Sequence, residues 1–143
     1  MNLHIELKKG LSDIRFGYTP ETIQNMIGLP SDTDELENAN NDDTVECIVW
    51  YYPEQGLNFF FDIQDGNPVL YGIEIENNDA MLFGIKVFEC NKDQIVKLMN
   101  ENGYRDIDED DEPWGDHRIT FDDAQADFYF ENGKLNLVSW SNM

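Results

Sequence analysis

The chain has 143 residues, 30 acidic and nine basic, for a formal charge of −21. That balance weighs against binding nucleic acid through its phosphates, which requires clustered Lys and Arg, and against an anionic membrane surface. Hydrophobic residues at 41% and aromatics at 13% weigh against wholesale disorder, and the length suits one domain over 1–143.

The first residues, MNLHIELKKGLSDIRFG, lack the apolar core and cleavage site of a signal peptide. No apolar run reaches the roughly 18 residues of a membrane span, so a cytoplasmic location is expected. NLHIELK predicts an edge strand. A helix is predicted after Tyr18, with Thr19 as N-cap, Pro20 at the first helical position and Glu21 at the positive end of the dipole. Ile23, Met26 and Ile27 fall on one face, and Gly28 with Pro30 stops the helix. An acidic loop is expected over 31–44, then strands at 45–52, 56–63 and 69–76, and a further strand from Met81 to Val87. A second helix starts at Asn91, whose spacing to Gln94 is that of a capping box. Ile95, Leu98 and Met99 form its apolar face, and Gly103 is a left-handed cap. A second acidic loop is expected over 105–116, followed by strands at 117–123, 126–131 and 134–140. Asn132-Gly133 is a two-residue hairpin signal. Cys47 and Cys90 lie far apart without a CxxC pattern and read as reduced, buried thiols.

The order helix, acidic stretch, three strands occurs twice. NFFFD at 58–62 matches DFYFE at 127–131 with an offset of 69, and Ile23, Gly66, Leu70 and Ile73 match Ile95, Gly133, Leu135 and Val138. A tandem repeat follows, about 12–76 and about 81–143. The fold class expected is α+β: an antiparallel sheet with helices on one face, built from two α-β-β-β repeats. The strands alternate, so Leu57, Phe59 and Phe61 face the core. Phe60, Tyr129 and one phase of Trp50, Tyr51 and Tyr52 face away. Those aromatics either form a binding surface or pack beneath the long loops.

The run FGYTPETIQNMIGLPSD (16–32), with its glycine, Thr-Pro helix start and GLP exit, resembles the helix-entry pattern of the small outer-membrane lipoprotein and beta-lactamase-inhibitor-protein fold group. A tandem helix-plus-sheet unit is a familiar design in that group. The resemblance covers 17 residues directly, together with the repeat order over most of the chain. It implies a fold and transfers no binding residue. The chain departs from the group in lacking a lipoprotein signal and in its long acidic stretches.

DIDEDDE at 106–112 packs six carboxylates into seven residues. An EF-hand reading places Asp106, Asp108 and Asp110 at positions 1, 3 and 5, but Asp111 stands where glycine is needed and His117 where a bidentate glutamate is needed. His4 and His117 have no metal-ligand spacing, so neither a metal nor a cofactor is expected. No GxSxG, Walker A or GxGxxG motif occurs, and carboxylates in a polar loop repel one another instead of splitting their pKa values. The expectation is therefore that the protein is not an enzyme.

What remains is binding. Asp106, Asp108, Glu109, Asp110, Asp111, Glu112 and Asp116 beside Trp114, with Asp34 and Glu35 of the first acidic stretch and the sheet aromatics Phe60 and Tyr129, suit a basic protein partner. Opposite charge steers the encounter, and aromatic anchors supply short-range energy. In character this resembles an acidic bacterial immunity protein that neutralises a cognate toxin, most concretely a nuclease. The residues leave two alternatives open. One is a structural or regulatory domain whose acidity serves solubility. The other is a metal-binding protein or enzyme using the 106–116 loop.

Overall fold

Alternating apolar and polar residues build most of the molecule as strands. The computed structural model describes residues 2–37, 45–111 and 117–142. In chain order the elements are β1 (His4–Glu6), β2 (Gly10–Leu11), β3 (Ile14–Arg15), α1 (Pro20–Ile27), β4 (Asp32–Glu37), β5 (Val45–Tyr52), β6 (Leu57–Gln64) and β7 (Asn67–Ile75). Then follow β8 (Met81–Leu82), β9 (Ile85–Lys86), a 3-10 turn (Val87–Glu89), α2 (Lys92–Glu101), β10 (Ile107–Asp111), β11 (His117–Phe121), β12 (Ala126–Glu131) and β13 (Lys134–Ser141). The class is α+β. Two sheets form instead of the one expected: a five-stranded sheet ordered β3-β2-β1-β8-β9 and an eight-stranded sheet ordered β10-β11-β12-β13-β7-β6-β5-β4. Pairing is antiparallel except between β1 and β8.

The large sheet consists of two meanders that meet at its centre, where β7 pairs with β13. Their tight turns are Asp65-Gly66 (φ 50°, 80°) and Asn132-Gly133 (φ 54°, 80°), left-handed at both positions as a type I′ hairpin demands. One face of the sheet buries Leu57, Phe59, Phe61, Ile73, Phe128 and Trp140. These pack with Ile23 of α1, with Ile95 and Met99 of α2, and with Leu11, Ile14 and Leu82 of the small sheet, in one cluster. The Trp140 indole Nε1–H donates to the Gly10 carbonyl at 2.8 Å, joining the two sheets.

Both helices start as their sequences dictate. Thr19 Oγ1 accepts from the Thr22 amide at 3.3 Å. Asn91 and Gln94 form a complete capping box, with bonds of 2.9 and 2.8 Å. The Gly28 amide closes α1 on Gln24. Tyr52 then donates its hydroxyl to the Gly28 carbonyl at 2.8 Å, tying the end of α1 to β5. Burial pushes the Tyr52 pKa up to about 12 from an ordinary 10.0. Because the folded value is the higher one, the tyrosine's contribution is complete below about pH 10 and is lost as pH rises towards 12. Tyr52→Phe is expected to cost about 1 kcal/mol at neutral pH. The gap between the two urea midpoints is expected to close over that alkaline window.

Several expectations are corrected. NLHIELK is not an edge strand, because β1 lies between β2 and β8. The segment from Met81 to Val87 is a two-strand hairpin with a left-handed Phe83 (φ 50°), not one strand. Met26 is exposed, since α1 presents only Ile23 fully to the core. Cys47 and Cys90 are free but only half-buried. The acidic stretches are not loops where they are described: 32–37 and 107–111 are β4 and β10, the two edges of the large sheet. An edge strand takes its backbone partners from one side only, so its side chains stay solvated on both faces and can all be charged. Such charge also blocks a further strand from pairing.

Candidate acidic docking face

The face of the large sheet opposite the helices carries the second phase of every strand. Antiparallel neighbours place directly paired residues on the same face, so the register defines rows across it. One row is complete: Asp32 pairs with Tyr51, Tyr51 with Asn58, Asn58 with Glu74, Glu74 with Ser139, Ser139 with Asp127, Asp127 with Thr120, and Thr120 with Asp108. At about 4.8 Å per strand the row spans roughly 34 Å. It holds four carboxylates and no cation. Its middle is half-buried and its two ends are exposed.

Flanking residues complete the face. Asp34 pairs with Val49, and Val49 with Phe60, on one side; Tyr129 pairs with Arg118, and Arg118 with Asp110, on the other. The carboxylates are held by neutral donors: Asn58 Nδ2 donates to Glu74 at 3.2 Å, Tyr51 donates to Asp34 at 3.2 Å, and Thr120 donates to Asp127. Arg118 reaches Asp110 at 3.3 Å. Phe60 and Tyr71 lie with ring centroids 6.4 Å apart. Burial, then the bond to Asp34, raises the Tyr51 pKa, so that hydroxyl stays a donor. Burial, then the Cys47 thiol, raises that of Tyr71.

The residues singled out in the sequence divide between the two faces. Asp34, Phe60, Tyr129, Asp108 and Asp110 come together on this one. Glu35 pairs with Ile48 in the opposite phase. Glu109 turns towards the helices and meets Lys92 Nζ at 2.8 Å, while Asp111 meets His117 Nδ1 at 2.9 Å. Asp106 precedes β10, and its carbonyl accepts from the Asp122 amide. Glu112, Trp114 and Asp116 lie outside the described residues. Of the aromatic run in β5, Tyr51 faces outward and Trp50 and Tyr52 inward, where they stack edge-on against Phe61 and Phe59. Asp32, Glu74 and Tyr71 were not anticipated, and Asn58 and Asp127, which alternation puts on this face, were not counted among the binding residues. Counting outward from the two Gly turns, and allowing for one bulge in each meander, would have paired Asn58 with Glu74 and Asp127 with Ser139. Among the described residues no three His, Cys, Asp or Glu converge on a metal position. Alternation explains this for β10, where same-face neighbours stand about 7 Å apart.

No protein-family model matches the chain. Over 81 residues it is 31% identical to a glycine/sarcosine N-methyltransferase of Halorhodospira halochloris, a match that takes in 56% of this chain and 28% of that protein. The chain thus spans under a third of that relative's length. Among solved structures, an extracellular protein containing a SCP domain from Bacillus anthracis str. Ames is similar at a TM-score of 0.49 and 12% identity, over 88% of this chain and 43% of that one. The methyltransferase match corrects the expectation that the protein is not an enzyme, because it points towards one. In methyl transfer to an amine the substrate nitrogen is the nucleophile, and the protein contributes binding and orientation. The missing serine, cysteine and phosphate-loop motifs therefore never tested that chemistry. No described helix is long and apolar enough to cross a membrane.

Proposed function

We propose that the outer face of the eight-stranded sheet docks a basic protein, and that the chain acts as a cytoplasmic immunity protein occluding the basic surface of a cognate toxin such as a nuclease. The observation that carries this reading is the cross-strand row from Asp32 to Asp108, four carboxylates without a cation, bordered by Phe60, Tyr71 and Tyr129. Carboxylates held by neutral donors keep their charge available to a partner, and half-buried rings supply anchors. The test is a pull-down from the native host with the purified chain. A basic protein whose association slows steeply with added salt is the expected capture. Capture of acidic or neutral proteins alone would overturn the reading.

The same reading takes the chain as a tandem repeat of a helix and a strand meander, in the manner of the beta-lactamase-inhibitor-protein fold group. Three correspondences support it. The register breaks between Phe60 and Phe61 in one meander and between Tyr129 and Phe130 in the other, 69 residues on. The amides of Glu76 and Ser141, 65 residues apart, bond the carbonyls of Gly56 and Gln125, which are 69 apart. The hairpins Leu11–Ile14 and Leu82–Ile85 each have a two-residue turn opened by a left-handed residue, Ser12 and Phe83.

A second reading rests on the methyltransferase match: the chain takes part in methyl transfer to glycine or sarcosine. Incubation with a biological methyl donor and each amine would decide it. Methylated product above a no-protein control is required.

A further inference from the structure

The outer face is not uniform, and among the described residues a depression lies at its β5–β6–β7 end. A hollow of about 680 Å³ opens there among Val45, Glu46, Cys47, Asp62, Ile63 and Tyr71. Its shape follows from the register break in β6–β7. Phe60 pairs with Gly72 and Phe61 with Leu70, which leaves Tyr71 as the extra residue of a bulge. A bulge re-aims the side chain it leaves unpaired. Here it brings the Tyr71 ring beside Phe60 and its hydroxyl to 3.6 Å from Cys47 Sγ. The matching bulge in β12–β13 leaves Asn136 instead of an aromatic residue.

The hollow's charges are uncompensated. Asp62 sits opposite Cys47 in the ladder, and among the described residues its side chain accepts only from the neutral Gln64 amide, at 3.4 Å. Neither Asp62 nor Glu46 has an ion pair among the described residues. The site thus offers two carboxylates, an aromatic ring and the apolar sides of Val45 and Ile63. A lysine ammonium would satisfy the charges alone. An arginine satisfies all of it: its stem lies on the apolar wall, its plane stacks on the ring, and its fork meets a carboxylate with two bonds.

We propose that this hollow is the arginine-anchoring subsite of the docking face, receiving one guanidinium of the basic partner. The inference rests on the docking reading and fixes where the partner's key side chain lands. Cys47, in the wall, reports occupancy. The probes are hexa-arginine and hexa-lysine peptides at low salt. The readouts are peptide affinity and the rate of iodoacetamide alkylation of Cys47, with Cys90 as internal reference by peptide mass mapping. Hexa-arginine is expected to slow Cys47 alkylation about fivefold, with hexa-lysine doing clearly less and Cys90 unaffected. Asp62→Asn is expected to abolish that protection and weaken hexa-arginine about tenfold, whereas Glu21→Gln, an exposed acid of α1 outside the docking face, keeps the protection. Binding without protection of Cys47, or equal protection by both peptides, overturns the subsite and leaves the docking face standing. Absence of binding by either peptide overturns both.

Discussion

Trp140→Ala is expected to cost about 3–5 kcal/mol, the largest stability loss of any single substitution considered for this chain. The indole is 1% exposed and sits in β13 between Ile73 and Ala126. Its removal leaves a cavity under the centre of the large sheet, where the two meanders meet. It also removes the donor to the Gly10 carbonyl, the bond that joins the two sheets. Typical domains hold only about 5–15 kcal/mol in total, so the variant should be close to unfolding at 37 °C. Trp140→Phe separates the two effects, because it keeps most of the volume and loses only the hydrogen bond. It is expected to cost about 1–3 kcal/mol, chiefly from the unsatisfied carbonyl. Urea unfolding followed by far-ultraviolet circular dichroism measures both without relying on the lost fluorophore. Equal losses for the two variants would show that the hydrogen bond, not the buried ring, joins the sheets.

The same residue shows what the sequence made legible. Trp140 falls in phase with Leu135 and Val138 once the bulge is allowed for, and alternation marks it as core. Helix caps, both glycine turns and the inward phenylalanines were legible for the same reason, since each depends on residues within a few positions. The small sheet was not. Its strands are two or three residues long, too short for a period, and β1 finds β8 across more than seventy residues by a parallel pairing that no local pattern announces. The acidic strands were misread because charge density resembles loop composition, whereas an edge strand needs only one backbone neighbour and tolerates carboxylates on both faces. The docking face fell between these cases. Phe60 and Tyr129 were found from alternation and Asp108 from the density of its carboxylate run, but the face that unites them is a property of eight registers at once. Glu74 and Asp127 acquire significance only when their strands are laid side by side.

That row carries the last prediction. Replacing Asp32, Glu74, Asp127 and Asp108 together by their amides removes four of the 30 acidic charges while keeping side-chain shape. Glu74 and Asp127 accept from Asn58 and Thr120, and a Gln or Asn oxygen accepts equally well, so the fold should tolerate the change. Relief of like-charge repulsion along the row offsets part of any loss. Association with hexa-arginine or with the captured basic partner should slow about 10- to 100-fold at low ionic strength, with a much smaller effect on dissociation, because distributed charge acts mainly through steering. Near 0.5 M salt, where the Debye length falls to about 4 Å, the variant and the parent should associate at similar rates. Net charge alone would also slow association, so a second variant removes four exposed acids elsewhere: Asp13, Glu21, Glu54 and Asp79. If the row is the docking surface, this control loses only a few-fold. If both variants slow equally in stopped-flow or surface-binding measurements, the whole-molecule field does the steering and the row has no special part in it. A field that acts only at long range would not need its carboxylates aligned across eight strands beside the aromatic rings, and that alignment is why the larger effect is expected from the row.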